Sequence, residues 1–441
     1  MRQKDCKVTN YSQIYKDIDE YFAALFEKHP DLEDFEKKAI ISLREVITKE
    51  IYQQNSDTNL KLNLIDIVKI LLTPFRIKVQ FSKYEPVVIV NTTKKQEQKD
   101  VAKLLNYPLV KIKVKRNKSF KYFLKSLKKV PKIINKTFKT YKMVQSIPYS
   151  DKINKFLLYA HLVRFYSVYY KTEFNNIKTI LTANTCYKHF PAIVAKAEDC
   201  GVNIVKIAYF ITNIDNVGTT RINAKYCFAL DKVHEEFYKQ FDYNKDVKFL
   251  GNGGRLSCDF LYDITKKEKE IHSKKQIVYL TGHSITVDFD NYYVGLLKNF
   301  VDLHEGYELI IKSHPIDTRT YEEYLSENVR VERVFGHKYF EMAYNADFVF
   351  SLFSSLSYQT KLINPNCYVL GFYDTDTMKI YNYDEGQQSY TKYLEVIDSE
   401  EMLNQVLLGE HETTSCEEYI KAVNPDFGHV AQTFKKLIEV L

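Results

Sequence analysis

The sequence predicts an α/β protein of two doubly wound, Rossmann-like domains facing a central cleft, with extra helices at the N-terminus. Three observations carry this. Short apolar runs alternate with stretches of helical periodicity, as in parallel sheets covered on both faces. Several of these runs end in small polar or basic residues, the way strands present groups at the carboxyl edge where ligands bind. A polar, glycine-bearing and then highly charged stretch over residues 251–275 splits the alternation into two series, which sets the domains at 1–255 and 256–441.

Taken in order, residues 11–72 show apolar positions at helical spacing, broken at Pro30 and Asp31, and predict two amphipathic helices with a third near 62–72. PVVIV at 86–90 reads as a buried strand, followed by a helix over 96–105 and a strand over 109–114. A basic helical stretch over 119–144, interrupted by Pro131, leads to a helix over 152–170. A strand at 177–181 then opens into a helix that starts near His189 and Pro191 and stops near Gly201. Strands at 203–208, 226–229 and 247–250 close the first series. The second series predicts strands at 276–280, 309–312, 329–331, 348–352 and 368–371. Helices are expected over 292–303, 320–325 and 356–363, with two more at 399–408 and 431–441.

Composition narrows the class. With 441 residues, 45% hydrophobic and 27% charged, the chain is globular and long enough for two cores. Only 13 residues are glycine, and neither a P-loop nor a G-x-G-x-x-G fingerprint is present. The seven cysteines are dispersed without C-x-x-C spacing, which favours buried thiols over a disulfide framework or zinc site. The charged N-terminal stretch carries no apolar segment of a signal or membrane span, so a cytoplasmic location is expected.

The net charge of +7 hides an asymmetry. Residues 101–150 hold fourteen Lys plus Arg and no Asp or Glu, so the rest of the chain sums to about −7. The basic stretch 111–142, with interleaved Phe, Tyr, Leu and Ile, allows three readings: an amphipathic helix on an anionic membrane, a groove for a polyanionic acceptor, or a solvated face. No nucleic-acid motif accompanies it, so nucleic acid is not expected as a partner.

The chemistry-bearing residues gather in the second half. YELIIKSHP at 307–315 and DFVFSLFSS at 347–355 are strands running into basic and hydroxyl residues. They would bring Lys312, His314, Ser354 and Ser355 to one crevice, a set suited to a nucleotide's phosphate. His283, in the loop after the domain's first strand, would face the same space. Asp288 and Asp290 read as solvated loop carboxylates, and no D-x-D motif calls for a metal. In the first domain Asp215 and His189 both follow strand ends and are the candidates for a base. Glu198, Asp199 and Gly201 resemble an acidic-glycine motif but fall at the end of a helix leaving the cleft.

The order GNGG (251–254), IVYLTGHS (277–284), IIKSHP (310–315) and SLFSSLSYQ (351–359) resembles the nucleotide-binding half of bacterial GT-B surface-polysaccharide glycosyltransferases. The likeness is nearest to sialyltransferases and polysialyltransferases that use CMP-sialic acid and carry HP and paired-serine motifs. The resemblance implies a transferase moving sialic acid or a related nonulosonic acid from a CMP-linked donor to a glycan or glycolipid hydroxyl in capsule or lipooligosaccharide synthesis, inverting and metal-independent. It sets His314 at the donor's phosphate and cytidine side, Pro315 shaping the turn, and Ser354 and Ser355 on phosphate oxygens. Gln359 stands where related enzymes often carry a ribose-binding glutamate. The acidic pair and glycine usual after the strand at 204–208 are replaced by Tyr209, Phe210, Ile211, Thr212 and Asn213. Two alternatives stay open: a CDP-glycerol or CDP-ribitol polyol-phosphate transferase, and a non-catalytic polyanion- or membrane-binding protein on a transferase fold.

Overall fold

The computed structural model describes residues 11–44, 46–48, 68, 70, 72–90, 95–117, 119–149, 155–183, 185, 189–207, 221–252, 259–282, 287–315, 317–352, 355–373 and 394–441. The predicted helix near 62–72 lies mostly outside them.

The first domain opens with helices α1 (Tyr11–Lys28), α2 (Asp34–Ile41) and the short α3 (Thr73–Arg76). Strand β1 (Ile77–Phe81) pairs antiparallel with β4 (Ile112–Arg116) in a sheet of its own. The single strand expected over 109–114 is thus two, because β3 (Leu109–Val110) belongs to the main sheet and the chain changes partner at Lys111. The main sheet is wholly parallel, in the order β3, β2 (Val87–Val90), β5 (Thr179–Thr182), β6 (Asn203–Ile207), β7 (Tyr226–Ala229), β8 (Lys248–Asn252).

Between these strands come α4 (Lys95–Leu105), α5 (Phe120–Leu127), α6 (Val130–Met143), α7 (Lys155–Lys171), α8 (Phe190–Asp199) and α9 (Lys232–Lys239). Pro131 sits in the first turn of α6, where its missing N–H costs no helical bond. Gly201 ends α8 at φ +69°, and Val202 N donates to the Ala197 carbonyl. Helices α1, α2, α6, α7 and α8 enclose one core around Tyr166, whose hydroxyl is 2.6 Å from Thr140 Oγ1.

The second domain holds α10 (Asp259–Thr265), β9 (Lys275–Leu280), α11 (Val287–Leu303), β10 (Tyr307–Lys312), β11 (Val329–Glu332) and α12 (His337–Asn345). It continues with β12 (Phe348–Ser351), α13 (Ser355–Thr360), β13 (Cys367–Leu370), β14 (Val396–Ile397), α14 (Glu400–Leu408) and α15 (Cys416–Val423). Its six parallel strands run β11–β10–β9–β12–β13–β14. Separate cores cover the two faces, α11 and α14 on one and α10, α12, α13 and α15 on the other. That is why β9, β10 and β12 read as continuous apolar runs. The helix expected over 320–325 is only a 3₁₀ turn at Glu322–Tyr324, entered through Tyr321 at φ +59°.

The last helix, α16 (Val430–Glu439), returns to the first domain. Phe434 stacks edge-on against Phe228 at 4.5 Å in a core shared with Ile89, Leu181 and Val205. The Asp259 carboxylate accepts from Val430 N at 3.0 Å and Ala431 N at 2.8 Å, so the start of one domain caps the helix that rejoins the other.

Candidate functional site

In the second sheet the chain moves from β9 outward through β10 to β11, then crosses back to β12 on the other side of β9. The strands that β9 and β12 lead to, β10 and β13, therefore lie on opposite sides of this pair. The crevice at the carboxyl edge of β9 and β12 is the topological switch point, the place where such sheets bind ligands. His283 and Ser354 belong to the loops after these two strands and lie outside the described residues, as does Asp215 in the first domain. Ser355 begins α13 at the same edge.

The His-Pro turn stands beside the crevice. Asp317 N donates to the His314 carbonyl at 2.9 Å, closing the turn, while Pro315 is exposed and His314 half-buried. His314 N donates to Thr281 Oγ1 at 2.9 Å, which fastens the turn after β10 to the loop after β9. Thr281 in turn donates to Asp317 Oδ2 at 3.2 Å.

Beneath the turn lies a charge network that sequence reasoning missed. Asp290 is fully buried rather than a solvated loop carboxylate, because α11 begins at Val287 and turns this side chain inward. It accepts from Tyr279 Oη at 3.0 Å, Gly282 N at 3.1 Å and Arg319 Nη2 at 2.6 Å. Arg319 also reaches Asp317, which accepts from Tyr321 Oη at 2.7 Å. Burial raises the Asp290 carboxyl, partly offset by Arg319 and the Gly282 amide. Burial also pushes Asp317 upward, but hydrogen bonds from Arg319 and Tyr321 outweigh it and hold that carboxyl down to about 2. One half-buried cation thus joins two acidic side chains, one on α11 and one on the turn after β10.

Lys312 is 3% exposed, with Nζ 5.0 Å from the centre of the Phe335 ring and 5.4 Å from that of Tyr339. Burial pushes its ammonium down to about 8. Gln359 is buried on α13, on whose inner side Ser357 hydrogen-bonds Ser351.

In the first domain the strand order reverses between β2 and β5, and His189, at the N-cap of α8, follows β5 at that point. Arg164 of α7 places Nη2 3.1 Å from His189 Nε2. A guanidinium cannot accept, so Nε2 supplies the lone pair and the imidazole proton sits on Nδ1. In this geometry His189 acts as a base only after releasing Arg164. One turn earlier on α7, His161 Nε2 is 2.8 Å from Ser42 Oγ, whose hydrogen goes to the Ala39 carbonyl. His161 therefore donates, and burial reinforced by Arg164 pushes its pKa down to about 4, which keeps it neutral. Asp199 is held at the far end of α8 by Tyr169 Oη at 2.9 Å and Lys196 Nζ at 3.1 Å.

Asp231, also missed, ends the segment after β7 and caps α9 by accepting from His234 N at 2.8 Å. It is 4% exposed and near enough to Tyr358 of α13 to reinforce the effect of burial in raising that phenol. A strand running into Asp and then a helix is an N-cap signature that was readable in the sequence. Among the described residues, no group of three or more His, Cys, Asp or Glu is placed to hold a metal ion. No helix among them is long and apolar enough to cross a membrane.

No protein-family model matches the chain, and no curated protein matches it. Among solved structures it is similar to UDP-GlcNAc 2-epimerase from Methanocaldococcus jannaschii, at 9% identity over 80% of this chain and 99% of that one, with a TM-score of 0.44. A UDP complex of MnaA from S. aureus matches at 11% identity over 81% and 98%, TM-score 0.47. The glycotransferase of kitacinnamycin matches at 10% identity over 81% and 98%, TM-score 0.44. At such scores these likenesses carry no argument about this chain. Its own topology defines the class: two parallel, doubly wound sheets with a final helix crossing back, the GT-B type of architecture.

Proposed function

We propose that the chain is a glycosyltransferase using a nucleotide-linked sugar donor, with the nucleotide bound over the carboxyl edge of the second sheet. The observation that carries this is the switch point between β9 and β12, with the His-Pro turn fastened alongside it by the bond from His314 N to Thr281. Negative charge builds on the departing phosphate during transfer and must be met by prepositioned donors. His314, with Ser354, Ser355 and His283 from the flanking loops, supplies them. The Arg319 network holds the turn in place, so little reorganisation is needed when charge develops.

The acceptor hydroxyl needs a base from the first domain. Asp215 is preferred, because Arg164 occupies the His189 lone pair. The transfer is a single displacement with inversion. The finer reading, supported by the order of the HP and paired-serine motifs, is a CMP-linked sialic or related nonulosonic acid moved to a glycan or glycolipid at the inner face of a membrane. Nucleotide release tests it. CMP freed from CMP-sialic acid in the presence of acceptor, and abolished in His314→Ala, is expected. Turnover confined to CDP-glycerol points to the polyol-phosphate alternative, and release only from UDP-sugars overturns the cytidine assignment.

A further inference from the structure

We propose that α5 and α6 form an interfacial element that lays an apolar stripe into an anionic lipid surface. Ser126, Val130, Ile133, Thr137 and Thr140 are buried, each 5% exposed or less, and this face packs inward, with α6 lying against α7. A neighbouring face, roughly 120° round the helix, stays exposed among the described residues. Leu124, Leu127, Ile134 and Phe138 are 48%, 43%, 46% and 51% exposed, with exposed Pro131 between them. These positions advance by alternate threes and fours, which aligns them along one side of a helix. Lys128 and Lys129, which join α5 to α6, keep right-handed helical dihedrals, so the phase carries through the junction.

Exposed Lys121, Lys125, Lys128, Lys132 and Lys142 flank the stripe, and Lys142 Nζ lies 4.4 Å over the Phe138 ring. Among the described residues, acidic partners reach Lys136 (Glu33 and Glu36), Lys139 (Asp31 at 3.8 Å) and Lys129 (Glu173 at 3.7 Å). A soluble polyanion needs cations and hydrogen-bond donors but has no use for four large apolar side chains held in water. An anionic bilayer uses both, taking the apolar stripe into its headgroup boundary while the lysines meet its charge. The assignment does not depend on which donor the protein uses.

The full chain is sedimented with vesicles of phosphatidylcholine alone and with vesicles carrying about a third phosphatidylglycerol. Binding to the anionic vesicles only, weakened by salt, is expected. The variant L124S/L127S/I134S/F138S keeps every charge and alters only exposed positions, so its melting temperature should match the parent. Its partition should fall at least roughly tenfold. Unchanged partition of that variant, equal binding to neutral vesicles, or retention by heparin without vesicle binding would each overturn the proposal, the last in favour of a polyanion groove.

Discussion

Arg319 donates through Nη2 to Asp290 at 2.6 Å and through Nε to Asp317 at 2.9 Å, so a single guanidinium joins the helix after β9 to the turn after β10. The turn carries His314.

Removing Arg319 takes the charge partner from buried Asp290, leaving it only the Tyr279 hydroxyl and the Gly282 amide. Arg319→Ala should cost roughly 3–5 kcal/mol in denaturant unfolding. Arg319→Lys should recover little, because an ammonium cannot reproduce the forked contacts. A loss under about 0.5 kcal/mol for Arg319→Ala would show that the network is not structural.

Acid sensitivity follows from two histidines. His161 and His234 stay neutral in the fold until about 4 and about 3, burial being the main cause, whereas an unfolded imidazole protonates near 6.5. Below pH 6.5 the unfolded state binds more protons, so stability rises with pH through that window and is lost as pH falls. His234, 1% exposed, should contribute on the order of 3 kcal/mol to the loss by pH 4. Melting temperatures measured from pH 7 to 4 should fall less steeply in His234→Gln than in the parent, once each curve is referred to its own value at pH 7.

Lys312 offers a separation of structure from binding. Its ammonium, pushed down to about 8, rests on Phe335 and Tyr339. Lys312→Met should leave stability within about 1.5 kcal/mol of the parent or raise it, since a buried charge is replaced by an apolar chain of similar length. Loss of nucleotide affinity without loss of stability in that variant would place Lys312 among the ligand contacts.

Gly428 precedes the returning helix at φ +90°, and a Cβ there would come within 2.7 Å of the Tyr262 ring. Gly428→Ala should therefore destabilise by about 1–3 kcal/mol, read from the urea midpoint, through both strain and overpacking. An unchanged midpoint would mean that the α10–α16 junction yields freely.

Much of the architecture was legible because parallel strands covered on both faces announce themselves as apolar runs, as QIVYL and ELIIK do. The strand pair β1 and β4 went unread although IKVQF and IKVKR both alternate apolar and polar residues, the period-2 signal of a strand with one buried face. His314 stands out in the sequence because it follows a strand, and the structure puts it in the turn after β10. Asp290, Asp317 and Arg319 do not: their roles arise from three-dimensional proximity, and an isolated carboxylate near a helix start looks solvated in sequence. Asp231 was within reach, had the strand-Asp-helix pattern been weighed.

The measurement that bears most directly on the account is thermal stabilisation by free nucleotides in the parent and in His314→Ala. CMP or CDP at about a hundred times its dissociation constant should stabilise the parent by roughly 2.7 kcal/mol, and the variant far less. Equal stabilisation of both proteins, or none by any cytidine or uridine nucleotide, would contradict a nucleotide site at the β9–β12 edge.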